Sequence, residues 1–187
     1  MASRILVAGA SRHGATLDIV DAIAGVLTHR GLSVVDKPID EVADLGEFDA
    51  AVIGSAVYVG RWMSDAVEFI DSRADELSRM PVWLFSSGPI GDPPMPEGDP
   101  TEVPELIDKI APRDHRIFAG RLDKDRLGLG ERLIVGMVRA PGGDFRDFPA
   151  VVAWANEIAD SLESDAGADA DEEVDRTREA LLVAAMR

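Results

Sequence analysis

Apolar positions along this chain follow two alternating rhythms. Short, mostly apolar runs read as strands covered on both faces: Ile5-Leu6-Val7-Ala8, Leu32-Ser33-Val34-Val35, Ala50-Ala51-Val52-Ile53, Val82-Trp83-Leu84-Phe85 and Arg116-Ile117-Phe118-Ala119. Between them, apolar residues recur at helical spacing. Val20, Ile23, Ala24 and Leu27 mark one helix, which Gly31 closes; Ala66, Val67, Ile70, Ala74 and Leu77 mark a second. Val103, Leu106, Ile107 and Ile110 mark a third, and Val152, Ala155, Ile158, Ala159 and Leu162 a closing one. Such alternation predicts right-handed crossovers and a parallel sheet with helices on both faces. Ligands of such sheets sit beyond the strands' carboxyl ends, where strand order reverses, which directs attention to residues 9–16, 54–62, 86–101 and 120–148.

Two segments depart from the plain repeat. Residues 86–102 hold five Pro and three Gly, which predicts a long loop, and long loops in compact domains are often functional. Residues 120–148 form an insertion in which Leu127, Leu129, Leu133, Ile134, Met137 and Val138 predict a short apolar helix, decorated by Arg121, Lys124, Arg126, Arg132 and Arg139. Beyond Ser164, the Ser/Asp/Ala/Gly stretch to Ala170 reads as a flexible linker. It leads to a last helix over Asp171–Met186 with a thin stripe of Val174, Leu181, Leu182 and Ala185. The expected division is a domain over 1–163 and an acidic appendage over 164–187.

Composition narrows the chemistry. At 187 residues and 46% apolar, the chain suits one domain with a full core. The absence of Cys excludes disulfides, thiol nucleophiles and zinc–thiolate sites, and His13, His29 and His115 are too scattered to suggest a metal site. A net charge of −16 argues against nucleic acid as a partner of the chain as a whole. No apolar run approaches the roughly 18 residues of a membrane span, and Met1-Ala2-Ser3-Arg4 passes directly into a strand, so the expectation is a cytosolic protein.

Gly9-Ala10-Ser11-Arg12-His13-Gly14-Ala15-Thr16 lies between a strand and a helix N-terminus, where backbone N–H groups and the helix dipole favour phosphate. Three readings compete. As a Walker loop it lacks the essential Lys, since Ala15 stands there. As the dinucleotide fingerprint it has Ser11 for the second glycine, although Asp36 sits where a ribose-binding acid belongs; that reading keeps a nicotinamide-binding Rossmann protein as a third option. As [S/T]-x-x-G-x-T, Ser11 to Thr16 would wrap a phosphate monoester.

This last pattern resembles the FMN phosphate loop of the flavodoxin family. Gly54-Ser55-Ala56-Val57-Tyr58-Val59-Gly60-Arg61-Trp62 follows the third strand, where flavodoxin-like proteins set backbone and an aromatic ring against the isoalloxazine. Ser86-Ser87-Gly88-Pro89-Ile90-Gly91 matches the family's second flavin loop. Gly142-Gly143-Asp144-Phe145-Arg146-Asp147-Phe148, with Trp154-Ala155, looks like the ending of the branch that contains menaquinone-dependent protoporphyrinogen oxidase. The resemblance implies a flavodoxin-like three-layer α/β sandwich with five parallel strands in the order 2-1-3-4-5, and FMN as cofactor. The site residues it implies are Ser11, Arg12, His13, Gly14, Ala15, Thr16, Ser55, Ala56, Val57, Tyr58, Gly60, Trp62, Ser86, Ser87, Gly88, Pro89, Ile90 and Gly91.

An FMN-dependent oxidoreductase is the implied function, in its sharpest form a protoporphyrinogen-type dehydrogenase passing electrons to a quinone. The alternative is a noncatalytic electron carrier or redox-sensing interaction protein. No protein residue is expected to act as catalyst, because the flavin carries the chemistry. The basic, apolar insertion would receive an acidic flat substrate, a quinone or the surface of a membrane. Tyr58 or Trp62 would stack on the flavin, against ordinary packing as the plainer alternative. Trp83 and Trp154 are expected in the core, and His29 and His115 on the surface. Asp144, Arg146 and Asp147 are expected to form an ion pair and a helix cap.

Overall fold

The computed structural model describes residues 4–88, 98–122 and 142–185, with side chains to Ala168. Five parallel strands form the main sheet: β1 (Arg4–Ala10), β2 (Ser33–Pro38), β3 (Ala50–Tyr58), β5 (Val82–Ser87) and β6 (Asp114–Phe118). Their order is β2-β1-β3-β5-β6, the expected order, with the two-residue β4 (Arg61–Trp62) added as an antiparallel arm on β3. A second small ladder pairs β7 (Arg121–Leu122) with β8 (Gly143–Asp144). The helices are α1 (Ala15–His29), α2 (Ser64–Ser72), α3 (Ala74–Leu77), α4 (Val103–Ile110) and α5 (Phe148–Ala185).

Successive side chains of a strand point to opposite faces, so each central strand feeds two cores. Leu6, Ala8, Ala51, Ile53 and Leu84 pack with Ile70, Leu77 and Leu106 from α2, α3 and α4. Ile5, Val7, Ala50, Val52, Trp83 and Phe85 pack with Ile19, Ile23 and Leu27 of α1 and Trp154 and Ile158 of α5. Gly54 is paired beside Phe85, and a Cβ there would lie 2.0 Å from the Phe85 ring, so this glycine makes room for an aromatic. The end of α1 is a Schellman turn: Gly31, at φ +87°, donates to the Thr28 carbonyl and Leu32 to that of Leu27.

Three expectations need correction. The segment expected as a linker, 164–170, and the last helix over 171–186 are one helix with the closing helix, running unbroken from Phe148 to Ala185. Packing of residues 151–162 nucleates it, after which each residue costs only its propensity; Ala166, Ala168 and Ala170 favour helix, and the single Gly167 costs about 1 kcal/mol relative to Ala. The helix expected over 66–77 breaks at Arg73. There the guanidinium stacks 4.4 Å from the Phe69 ring and donates to the Val42 and Ala43 carbonyls. The fifth strand begins at Asp114 rather than Arg116, and the second runs on through Asp36 and Lys37 to Pro38, because both are edge strands whose polar residues escape an apolar-run criterion; the second starts at Ser33 because Leu32 N–H closes the end of α1. The insertion helix and its Lys124, Arg126, Arg132 and Arg139 lie outside the described residues, as do Pro89, Ile90 and Gly91.

Candidate functional site

The carboxyl ends of β1, β3 and β5 meet the start of α1. The Ser11 hydroxyl oxygen accepts hydrogen bonds from the backbone N–H of Gly14 (3.0 Å) and of Thr16 (3.4 Å), curling residues 11–16 into a closed loop. That leaves the Ser11 hydroxyl proton as a donor toward a bound anion. Gly14 precedes α1 at φ +85°, a conformation side chains strain to adopt, and a Cβ there would meet nothing within 4 Å. The loop is thus shaped by a left-handed residue in open space, beside first-turn amides that have no intrahelical acceptors. Thr16 itself is buried, so its contribution to the loop surface is backbone.

Tyr58 faces this loop from β3. The Arg12 guanidinium lies 5.1 Å from the centre of its ring, and the His13 ring approaches edge-on at 6.4 Å. Beyond Tyr58 the chain reverses through Val59 (φ +53°) and Gly60 (φ +74°), the two positive φ values that a tight hairpin turn of this hand requires. Val59 is β-branched and 80% exposed, so it holds a strained conformation without burial to offset it, a pattern typical of functional loops. Loop 98–102 braces the hairpin: Thr101 N–H donates to the Gly60 carbonyl, and Glu102 accepts from Trp62 N–H (3.1 Å) and pairs with Arg61 (2.6 Å).

Several predicted site residues turn inward. Trp62 joins the core on the α2 face, and Ser55, Ala56, Ser86 and Ser87 are buried, so at these positions only backbone is offered to a ligand. Ser55 Oγ accepts from Met63 N–H, tying the end of β3 to the start of α2. A Cβ on Gly88 would lie 2.4 Å from Val57 Cβ, so that glycine serves close packing. His115, expected on the surface, has a side chain only 8% exposed. Its Nε2 lies 2.9 Å from Ser86 Oγ, which also accepts from the Trp62 indole N–H at 2.8 Å, and its Nδ1 lies 3.4 Å from Asp99. Burial pushes the imidazole below its ordinary pKa, against the opposing pull of Asp99 and Asp114.

Asp144, Arg146 and Asp147 do form the expected pair and cap. Arg146 binds Asp144 (2.6 Å), and Asp147 accepts from Ala150 N–H in the first turn of α5. The Arg146 hydrogen bond holds the Asp144 carboxyl below the usual carboxylate range. The reach of Arg146 is wider than its sequence suggests: its guanidinium, 5% exposed, also binds Asp18 (2.6 Å) and the Ala15 carbonyl (3.2 Å). Arg121 lies 3.6 Å from the same Asp18. Both ends of the insertion, paired as β7 and β8, are thereby fastened to the first turn of α1. No local signal marks Asp18, Asp99, Glu102 or His115, whose partners are distant in sequence. Among the described residues no group of His, Asp or Glu is placed to hold a metal, and no helix is long and apolar enough to cross a membrane.

The family model described as Flavodoxin domain matches residues 6–148. Solved structures with this fold include a flavodoxin from the domain Archaea, at 14% identity and TM-score 0.61, covering 86% of this chain and 99% of that one. Oxidised flavodoxin 1 from Bacillus cereus gives 15% identity and TM-score 0.57, covering 83% and 96%. Rubredoxin oxygen:oxidoreductase from Desulfovibrio gigas gives 10% identity and TM-score 0.59, covering 86% of this chain and 36% of that one. No curated protein matches the sequence. The cofactor implied is FMN. The residues present fit it: a hydroxyl, a left-handed glycine in open space and a helix N-terminus suit a phosphate monoester, and Tyr58 stands one loop away as an aromatic face.

Proposed function

The chain belongs to the flavodoxin domain family, and from that premise we propose that it is an FMN-dependent oxidoreductase in which Ser11 to Thr16 hold the cofactor phosphate. The observation that carries this reading is the 11–16 loop itself, curled around the Ser11 hydroxyl at the start of α1, with Gly14 at φ +85° and no neighbour within 4 Å of its Cβ direction. Bound FMN supplies hydride and single-electron chemistry at its ring system. This chain's residues bind and orient. Ser11 and the α1 amides hold the phosphate, Tyr58 offers a ring, and the buried Ser55–Ala56 and Ser86–Ser87 segments offer backbone. Asp36, the acid of the dinucleotide reading, is exposed on edge strand β2.

The finer reading is a protoporphyrinogen-type dehydrogenase passing electrons to a quinone. It is supported by the Gly142–Phe148 ending and by an apolar, basic insertion whose stem Arg121 and Arg146 fasten to Asp18. In this reading residues 120–148 receive the flat acidic substrate, a quinone or a membrane surface. A second reading, a noncatalytic electron carrier, is favoured by the span of the archaeal flavodoxin, 99% of which is covered, and by a net charge of −16, which would steer the chain to basic redox partners.

Titration with FMN and with riboflavin, read by visible absorption and flavin fluorescence, tests the site. FMN should bind at least about tenfold tighter, since charge-assisted bonds to phosphate are the strong ones. Equal affinities sink the phosphate-loop assignment. Steady turnover of a porphyrinogen with a quinone acceptor supports the enzyme, whereas electron exchange only with a reductase supports the carrier.

A further inference from the structure

We propose that His115, on edge strand β6 and outside every flavin motif, is a positioning residue that sets the flavin-side hairpin 58–62 through a buried relay of Ser86 and Trp62. The inference rests on reading residues 11–16 and 58–62 as the flavin site.

The relay's direction follows from hydrogen-bond inventory. An indole N–H only donates, so Ser86 Oγ accepts from Trp62. The single Ser86 proton then points to His115 Nε2, 2.9 Å away, which requires the neutral tautomer carrying its proton on Nδ1, toward Asp99. Each group is used once: Trp62 donates to Ser86 and Ser86 to His115, while the Nδ1 proton lies on the side of Asp99, whose carboxylate is 3.4 Å away. An Asp–His–Ser order of this kind invites comparison with a nucleophilic triad. Ser86 is 0% exposed and its oxygen is occupied by the indole, so no acyl group reaches it. The relay's work is mechanical instead.

Trp62 is one arm of the β3–β4 hairpin, paired with Val57, and the other arm carries Tyr58 against Arg12 and His13 of the phosphate loop. Holding the Trp62 indole from β5 and β6 therefore fixes the hairpin's rotation about β3, and with it the place of Tyr58. Among the described residues, the charged groups facing His115 are Asp99 from the 98–102 loop and Asp114 from its own strand. Protonation turns Nε2 from acceptor to donor, so Ser86 Oγ then accepts from both rings and its own proton loses its acceptor; the relay is perturbed as the imidazole charges, a step that burial delays to below the ordinary His range.

The test uses the full chain, nitrogen-labelled, first without FMN. The Trp62 indole N–H resonance, assigned by its loss in Trp62→Phe, should titrate with a midpoint below about 6.5 in the parent and should not titrate in His115→Gln. FMN affinity is then measured against pH. The FMN phosphate titrates in the same range and affects every variant alike, so the difference between variants isolates His115. The glutamine side chain keeps an acceptor for Ser86, and His115→Gln should match the parent at neutral pH and outlast it on acidification. His115→Leu, with no acceptor, should bind about three- to tenfold more weakly at neutral pH. A Trp62 resonance indifferent to pH overturns the relay. A titrating resonance with identical FMN profiles in parent, Gln and Leu variants shows that the relay does not position the site, and overturns the proposal while leaving FMN binding intact. A titrating resonance in a chain that takes up no FMN overturns the positioning claim together with the flavin reading, and leaves the relay as a structural feature.

Discussion

Loop 11–16 and the relay beneath the hairpin lie at the same end of the sheet and are built in opposite ways. Loop 11–16 is made by residues three and five positions apart, Ser11 with Gly14 and Thr16, and its glycine is required by backbone conformation in open space. The relay joins residues 24 and 29 positions apart, and the glycine beside it, Gly88, is required because neighbours leave no room for a side chain. One region leaves open space around its glycine, the other leaves none. Local hydrogen bonds shape the first; long-range packing decides what stands beside it.

The two glycines give the sharpest break of that comparison. Gly88→Ala drives a Cβ to 2.4 Å from Val57 Cβ, near the backbone where little can yield, and should cost about 3 kcal/mol, read as a fall in melting temperature. Gly14→Ala should leave melting within about 1 kcal/mol of the parent yet weaken FMN binding by roughly tenfold, as the loop relaxes from its left-handed turn. If melting responds to Gly14 and flavin binding alone to Gly88, the contrast is inverted.

Next in size, Ser86→Ala leaves the buried Trp62 indole and His115 without their shared partner, for about 2 kcal/mol of stability in denaturant unfolding. An unchanged midpoint would mean that the relay contributes nothing.

Acid gives a smaller and separable effect. Because the folded state holds His115 below its unfolded pKa, the unfolded chain binds more protons between the two values. Its stabilising contribution is therefore complete above about 6.5 and is lost as pH falls through the lower, folded value. Unfolding midpoints of His115→Gln should be flat where those of the parent decline; parallel curves would assign the decline to other groups.

The smallest effect is expected from ending the chain after Asp165, which keeps that residue's ion pair with Arg113. Removing the remainder should shift stability by about 0.5 kcal/mol or less and leave FMN affinity unchanged. A large drop in melting temperature would show that the end of α5 docks.

Legibility followed the range of the interactions. Central strands were readable because both faces are buried, so Ile5-Leu6-Val7-Ala8, Ala50-Ala51-Val52-Ile53 and Val82-Trp83-Leu84-Phe85 are apolar without interruption. The edge strands were misbounded because their polar residues, Asp36 and Lys37 in β2 and Asp114 and His115 in β6, break the apolar run. Tyr58 and Trp62 looked alike as aromatics after the expected strand 50–53; β3 instead runs on to Tyr58, and the hairpin turn at Val59-Gly60 separates the two, setting one toward loop 11–16 and the other into the core. The linker reading of 164–170 failed because composition says nothing of the packed helix preceding it, from which propagation is inexpensive.

What the amino-acid order determines by itself is the alternation of strands and helices, the identity of the two cores and the curl of residues 11–16, since each depends on spacing within a turn or a strand. Tertiary structure alone decides that Arg146 reaches Asp18 across 128 positions, that Glu102 holds Trp62 across 40, and that His115 is buried against Ser86 rather than exposed. The reason is geometric. A parallel sheet brings the carboxyl ends of strands together only after every intervening crossover has closed, and which polar groups then meet depends on register and edge, neither of which any short stretch of sequence contains.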